Sequence, residues 1–251
     1  MAATLDIDWH PKPGDALPPL WHWLYFLDFA PQSELGADGH AKRGGFLPPV
    51  ELPRRMWAGG RLEFHHPLHV GESIARASRI ASVQFKQGRT GPLVFVVVHH
   101  EISNGSGLAV TEEHDIVYRG HSSNVSHALQ TSPAEVTWQR VITPDDVLLF
   151  RYSALTFNGH RIHYDRRYAT ETEGYPGLVV HGPLIATLLV ELIRLKIPAA
   201  TVSRFEFKAV SPLFDTAPFS ISGNYAEEGK VVRLWATGPT GALAMTATAR
   251  L

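Results

Sequence analysis

Residues 183–198 read PLIATLLVELIRLKIP, and this run constrains the chain more than any other. Leu184, Ile185, Leu188, Leu189, Leu192, Ile193 and Leu195 recur at helical spacing, while only Glu191, Arg194 and Lys196 are charged. A helix with so wide an apolar face has to be enclosed by the rest of the chain. Pro183 suits the first helical position, where its missing N–H would lack a partner anyway, and Pro198 ends the run. The first N–H groups of an enclosed helix have no intrahelical acceptors, and the helix dipole favours partial negative charge at that end. Gly182, lacking a side chain, lets a ligand oxygen approach the backbone there. An ordinary glycine cap on a core helix is the competing reading.

A compact polar cluster precedes this helix: Asn158, His160, Arg161 and His163. Thr143-Pro144-Asp145-Asp146 predicts a helix start, with Thr143 as cap, Pro144 at the first position and acids in the first turn. That helix runs out between Thr156 and Gly159, and His163 opens a second short helix, HYDRRYA. Histidine is the side chain best suited to exchange protons near neutral pH, and an amide beside it can hold water. A single histidine is more often structural than catalytic. Two histidines, an asparagine and an arginine so close together, ahead of a glycine-capped buried helix, weaken that reading.

The segment Leu155-Thr156-Phe157-Asn158-Gly159-His160-Arg161-Ile162-His163, with Ala169 after it and Val179-Val180-His181-Gly182 beyond, resembles the hydratase-2 motif of MaoC-like enoyl-thioester hydratases and dehydratases. The form TFNGHRIHYD resembles the subgroup holding mesaconyl-C4-CoA hydratases and type-2 hydroxyacyl-thioester dehydratases. Likeness extends upstream through Leu17–Phe26, Gly44–Gly60 and Gly88–Glu101, and so over nearly the whole chain. The resemblance implies an α+β double hotdog: two copies of an antiparallel sheet wrapped around a helix, forming a pseudo-dimer in one chain. It implies a hydro-lyase that hydrates an α,β-enoyl thioester and dehydrates the 3-hydroxyacyl thioester. His163 takes the position of the family histidine and Gly182 that of the glycine whose N–H polarises the thioester carbonyl. Asn158 stands where the wider hydratase-2 pattern has Asp, and the subgroup resemblance implies Asn at this position. An amide is not a base, so His163 carries the proton transfer. His160, Arg161, Asp165 and His181 are the candidate substrate-side residues. His160 or Asp165 is also placed to orient His163, although Asp165 reads equally as a first-turn acid facing solvent. Arg161 suits bidentate contact with a substrate carboxylate, a CoA phosphate or a protein carboxylate. Arg166, Arg167 and Lys208 are weaker candidates for phosphate contacts.

The implied substrate is a CoA ester of a short branched or dicarboxylic acid, of mesaconyl-C4 or itaconyl type. Dehydration of a carrier-protein (ACP) thioester and acyl-thioester binding without turnover are the alternatives. No cofactor is expected beyond the CoA or phosphopantetheine that the substrate carries. No metal is expected either: His65, His66 and His69 open a proline-interrupted strand, and His99 and His100 point to opposite faces of another. A net charge of −1 gives no reason to expect nucleic-acid or anionic-membrane partners. The absence of cysteine excludes disulfides, thiolate ligands and a cysteine nucleophile, and fits a cytoplasmic protein. No apolar run reaches membrane-spanning length. The assembly is either a monomeric pseudo-dimer or a homodimer of such units.

Organisation along the chain follows from strand and turn signals. Residues 1–20 are Pro-rich and read as an extended lead-in, and Trp21–Phe29 as a strand or short helix. Residues 31–60 form an ordered loop that lines or covers a substrate tunnel. Strands are predicted from Arg61, over Ser73–Phe85, over Pro92–Ile102 and over Leu108–Tyr118, with a hairpin turn at Asn104–Gly107. Strands return from Arg204, over Ala217–Ala226, Val231–Ala236 and Ala242–Leu251. The predicted division is an N-terminal hotdog at 1–121, a Ser-rich linker at 122–137 and a catalytic hotdog at 138–251. Arg61-Leu62-Glu63-Phe64 and Arg204-Phe205-Glu206-Phe207 mark a weak repeat between the halves. The first half has no counterpart of the Asn158/His163 cluster, so one site per chain is expected.

Overall fold

The structure is a computed structural model that describes residues 1–251 apart from 28, 89–90, 121–129 and 134. Most of the predicted linker, and the middle of the Gly88–Gly91 turn, lie outside the described residues. Nine strands form one antiparallel sheet: β1 (Arg54–Phe64), β2 (Ala75–Gly88), β3 (Gly91–Asn104), β4 (Gly107–Arg119), β5 (Trp138–Ile142), β6 (Arg204–Ala209), β7 (Phe219–Ala226), β8 (Val231–Thr237) and β9 (Leu243–Arg250). Their order is β2-β3-β4-β1-β6-β9-β8-β7-β5. Two helices, α1 (Asp146–Leu155) and α2 (Gly182–Lys196), follow β5.

The halves join edge to edge where β1 pairs with β6. The register there is Arg61 opposite Glu206, Leu62 opposite Phe205 and Glu63 opposite Arg204. The weak sequence repeat therefore sits on the pseudo-twofold axis. One copy of RLEF/RFEF faces the other, and the axis passes between Leu62 and Phe205, both fully buried. On either side the order runs outward symmetrically, β1-β4-β3-β2 against β6-β9-β8-β7. This is the double hotdog expected from the sequence.

The symmetry ends at the helices. α2 packs against β7, β8 and β9, with Leu184 through Ile193 all buried, as its apolar periodicity requires. Among the described residues the first half holds no α-helix, which corrects the expectation of a helix in each copy. Prolines 31, 48, 49 and 53 and glycines 36, 39, 44 and 45 interrupt the stretch that leads into β1. Instead, Leu47, Val50 and Leu52 pack on Val96, Val98 and Tyr118. β2, at the open edge, is exposed at nearly every position.

The lead-in is also corrected. Leu5 and Leu20 belong to the main core with α2, and Trp21 joins them from the short helix expected at Trp21–Phe29. Trp21 Nε1–H donates to Glu191 Oε1 at 2.9 Å, and Arg194 Nη1 reaches Glu191 Oε2 at 2.6 Å, so the one acid inside α2 is satisfied. Burial raises the Glu191 carboxyl above its usual range, against the pull of Arg194. β1 begins at Arg54, inside the stretch read as loop, with a bulge between Trp57 and Gly59. The cap of α1 is Asp145, whose Oδ1 accepts the Leu148 N–H at 2.7 Å. The predicted cap was Thr143, two residues earlier; a carboxylate three residues before an open N–H wins over a hydroxyl separated from it by Pro144.

Candidate active site

The polar cluster forms because α1 stops abruptly. Phe157 takes a left-handed φ of +51°, and the Asn158 N–H returns to the Ser153 carbonyl at 2.8 Å. Asn158 Oδ1 accepts the His160 N–H at 3.0 Å, an Asx turn that aims the chain into a single 3-10 turn, Arg161–His163. The Val179 N–H meets the Ile162 carbonyl at 2.9 Å, tying this turn to the strand-like segment that leads into α2. The amide nitrogen of Asn158 has no protein acceptor among the described residues, so it remains a donor for a ligand or water.

His163 is buried, and its Nδ1 lies 2.7 Å from the Val179 carbonyl oxygen. A carbonyl only accepts, so Nδ1 carries the hydrogen and Nε2 presents the lone pair. Burial pushes the imidazole down to about 4, more than the Val179 hydrogen bond restores. His163 is therefore a neutral base at neutral pH. Its ring stacks on His181 at 3.8 Å with 18° between planes. His181 caps α2, is 1% exposed, and shares a 2.8 Å hydrogen bond between Nε2 and Ser153 Oγ. Burial holds it well below the usual histidine range. The sequence placed His181 on the substrate side; the structure places it behind His163 as a buried platform.

Gly182 opens α2, ahead of the first backbone bond of that helix, Ile185 N–H to the His181 carbonyl. A Cβ built on Gly182 would have the Trp57 carbonyl oxygen as its nearest neighbour, at 3.9 Å. On the side where a side chain would stand, the helix terminus is therefore open as far as β1.

Two other predicted residues are committed elsewhere. Arg161 donates from Nε and Nη2 to Asp165 Oδ2 at 3.0 and 2.7 Å, and from Nη1 to the Ala37 carbonyl at 3.0 Å. Its guanidinium lies 4.2 Å from the Tyr168 ring centroid. Of the three partners weighed for it, a protein carboxylate is the one it meets. Asp165 also accepts the Tyr168 N–H at 3.0 Å, starting the short helix that ends in one π-helical turn, Tyr168–Thr172. Asp165 therefore does not orient His163. Arg166 pairs with Asp215 and Arg167 with Glu171. Lys208 lines a groove of about 510 Å³ with Arg61, Asp115 and Glu206. That groove is on the sheet face opposite the buried side chains of Leu62 and Phe205, away from His163.

The sequence reading gave residues 31–60 a place over the site but named no residue there. The loop holding Asp38 and His40 lies against the Asn158–His163 turn, with the Arg161 N–H on the Asp38 carbonyl at 2.9 Å. The His40 and His160 rings are 4.0 Å apart, and His160 stands perpendicular to His163 at 5.4 Å. Burial pushes His160 down strongly, and the charges of His40 and His163 add to this. Asp38, His40 and His160 also form the one group among the described residues with metal-ligand spacing, their ligand atoms within 4.8 Å of one another. A second cluster lines the inner face of the first half. Buried Glu112 accepts from His22 Nε2 at 2.9 Å, from Trp23 Nε1 at 2.7 Å and from His114. Trp57 packs on His114 at 4.0 Å, linking this wall to the gap before Gly182. The only sequence signal for the Asp38 loop was its glycine and histidine content within a long ordered segment.

Comparison with known proteins identifies the family. The family described as hydroxyacyl-thioester dehydratase type 2 matches residues 20–215. Mesaconyl-C(4)-CoA hydratase of Chloroflexus aurantiacus is 50% identical over 243 residues, 96% of this chain and 86% of that protein. The mitochondrial hydroxyacyl-thioester dehydratase type 2 of Schizosaccharomyces pombe is 31% identical over 231 residues, 82% of this chain and 77% of that protein. Among solved structures, HtdX of Mycobacterium tuberculosis superposes with a TM-score of 0.67 at 18% identity, covering 99% of this chain and 92% of that one. A MaoC-like dehydratase of Phytophthora capsici gives 0.63 at 14% identity, covering 82% and 76%. With its double-hotdog sheet and its single Asn158/His163 turn ahead of α2, the chain belongs to the hydroxyacyl-thioester dehydratase type 2 family of hydro-lyases.

Proposed function

We infer that this hydro-lyase works on the CoA ester of a short branched or dicarboxylic enoyl acid, with Asn158, His163 and Gly182 performing the hydration. The carrying observation is His163: a buried, neutral imidazole with Nδ1 pinned by the Val179 carbonyl and Nε2 free, beside the open terminus of α2. Water is held between the Asn158 amide and His163 Nε2. His163 takes a proton as the water oxygen bonds to Cβ, and the π electrons move toward the thioester carbonyl. The Gly182 N–H receives the enolate-like charge, a donor typically worth about 3–4 kcal/mol. His163 then returns a proton to Cα on the same face, and the reverse sequence dehydrates the 3-hydroxyacyl thioester. A base in this position typically contributes about 10²–10⁴-fold. No cofactor enters the scheme beyond the pantetheine that the substrate carries.

A CoA ester is favoured by likeness to the mesaconyl-C(4)-CoA hydratase along almost the entire chain. Arg161 is already paired, so recognition of a second carboxylate is not assigned to it. The deciding experiment follows loss of enoyl-thioester absorbance with crotonyl-, itaconyl- and both mesaconyl-CoA isomers, for wild type, His163→Ala and Asn158→Ala. Turnover that collapses in His163→Ala supports the mechanism. A folded protein inactive on every CoA ester, but active on an enoyl-ACP, moves the substrate to a carrier protein. Thioester binding with no turnover of either leaves an acyl-binding protein.

A further inference from the structure

The carboxylate missing from the catalytic turn at Asn158 is present in space, supplied by another part of the chain. His40 Nδ1 lies 2.9 Å from Asp38 Oδ2, and the His40 N–H donates to Asp38 Oδ1 at 3.0 Å. Both oxygens of Asp38 thus hold one histidine, and because a carboxylate only accepts, His40 Nδ1 carries the hydrogen. Burial alone would raise the Asp38 carboxyl, but its hydrogen bonds and the charges of His40 and His160 hold it well below the usual range, so it stays ionised. His40 lies on His160 at 4.0 Å, His160 stands against His163 at 5.4 Å, and His163 stacks on His181 at 3.8 Å. Four imidazoles form one column with a carboxylate at one end.

The loop is fitted to this place. Gly39 has φ +88°, and a methyl group on it would lie 1.8 Å from the Gly159 carbonyl oxygen. Two glycines therefore meet backbone to backbone, while Arg161 binds the carbonyls of Ala37 and Asp38. When His163 takes a proton the column gains a positive charge in a buried site. Asn158 is neutral there, and Asp165 is neutralised by Arg161. Asp38 is the carboxylate the column has.

We propose that Asp38 and His40 are positioning residues for the hydration step, doing from the N-terminal loop what a carboxylate at position 158 would do. Asp38 fixes His40, and His40, through His160, sets the orientation and charge environment of His163. The proposal rests on the hydratase reading above, and its test separates the two.

In the full chain, Asp38→Asn and His40→Gln are expected to lower kcat about tenfold to a hundredfold with KM little changed. Adding Asn158→Asp to Asp38→Asn is expected to recover several-fold of the lost kcat, because it restores a carboxylate at the family position. A simple packing role would not produce that rescue. Wild-type kcat in both single variants, or no recovery in a folded double variant, overturns the proposal. The second arm needs no substrate: the His163 imidazole is titrated by NMR in wild type and in His40→Gln. His160 and His181 flank this ring, Arg161 is offset by Asp165, Arg55 acts on His160, and the charge of His40 opposes protonation of His163. Removing His40 is therefore expected to move the His163 midpoint to higher pH. An unmoved midpoint overturns the coupling. A midpoint that moves in a protein inactive on every thioester supports the coupling and refutes the hydratase reading.

Discussion

Gly182→Ala separates a glycine needed by the fold from one needed by a ligand. The position has no positive φ, and an added Cβ meets nothing closer than the Trp57 carbonyl oxygen at 3.9 Å, an ordinary contact. The backbone therefore accepts alanine without strain. Alanine also improves helix propensity and restricts the unfolded chain, together worth about 0.4–1 kcal/mol in favour of folding. For a chain of this size that is a melting temperature unchanged or raised by roughly 2–4 °C. The same methyl group, however, occupies the gap through which a carbonyl oxygen would reach the Gly182 N–H. Losing one such donor typically costs about 2.7–4 kcal/mol in the transition state, or 10²–10³-fold in kcat. Thermal denaturation and enoyl-thioester absorbance kinetics on one preparation read both quantities. A stable variant with wild-type kcat would show that the terminus of α2 is not the carbonyl site. A melting temperature lowered by 10 °C or more would show that the gap is not open.

Other perturbations test the frame around the site. Gly39→Ala forces a side chain into a left-handed position and onto the Gly159 carbonyl; we expect a loss of at least about 3 kcal/mol, read as a fall of roughly 6–12 °C in melting temperature. Glu112→Gln removes the buried charge on which His22, Trp23 and His114 converge, and should cost about 3–5 kcal/mol in a urea titration; a loss below 1 kcal/mol would refute the view that this wall depends on ionised Glu112. His163 and His100 are both pushed down to about 4, chiefly by burial. Between about pH 6.5 and 4 the unfolded chain binds protons that these histidines refuse when folded, so stability should fall on acidification, by roughly 2 kcal/mol per histidine at pH 5. Glu191, raised by burial, offsets part of this near its own midpoint; a urea midpoint that is flat or rising from pH 7 to pH 5 would contradict the burial argument.

What was legible in the sequence was what repeats along it. The helical spacing of Leu184 through Leu195 identified α2, and the matched RLEF and RFEF segments lay on the pseudo-twofold axis that joins the half-sheets. The polar turn was legible because Asn158, His160 and His163 are neighbours in the chain as well as in space. Contacts without periodicity were not. Arg161 reaches Ala37 across 124 positions, and Trp21 reaches Glu191 across 170. Both depend on where irregular N-terminal backbone comes to rest, which depends on packing and not on local preference. The missing first-half helix was visible in principle, since the prolines and glycines of residues 31–53 argue against one. The two-copy expectation outweighed that local signal.

The N-terminal segment explains why the symmetry was broken. A second helix under β1–β4 would occupy the space now taken by Trp23, Leu47, Val50 and Leu52. Irregular chain there does what a helix does not. It carries Leu5 and Trp21 into the core with α2, and it lays Asp38 and His40 on the catalytic turn. The second half supplies His163 and the terminus of α2, but residues that close its core and flank His163 come from before β1. A chain cut at the predicted linker would therefore separate His163 from its surroundings and leave Glu191 without Trp21. On the proposed reading the chemistry needs the whole double hotdog, because the N-terminal half packs Asp38 and His40 against the turn that holds His163.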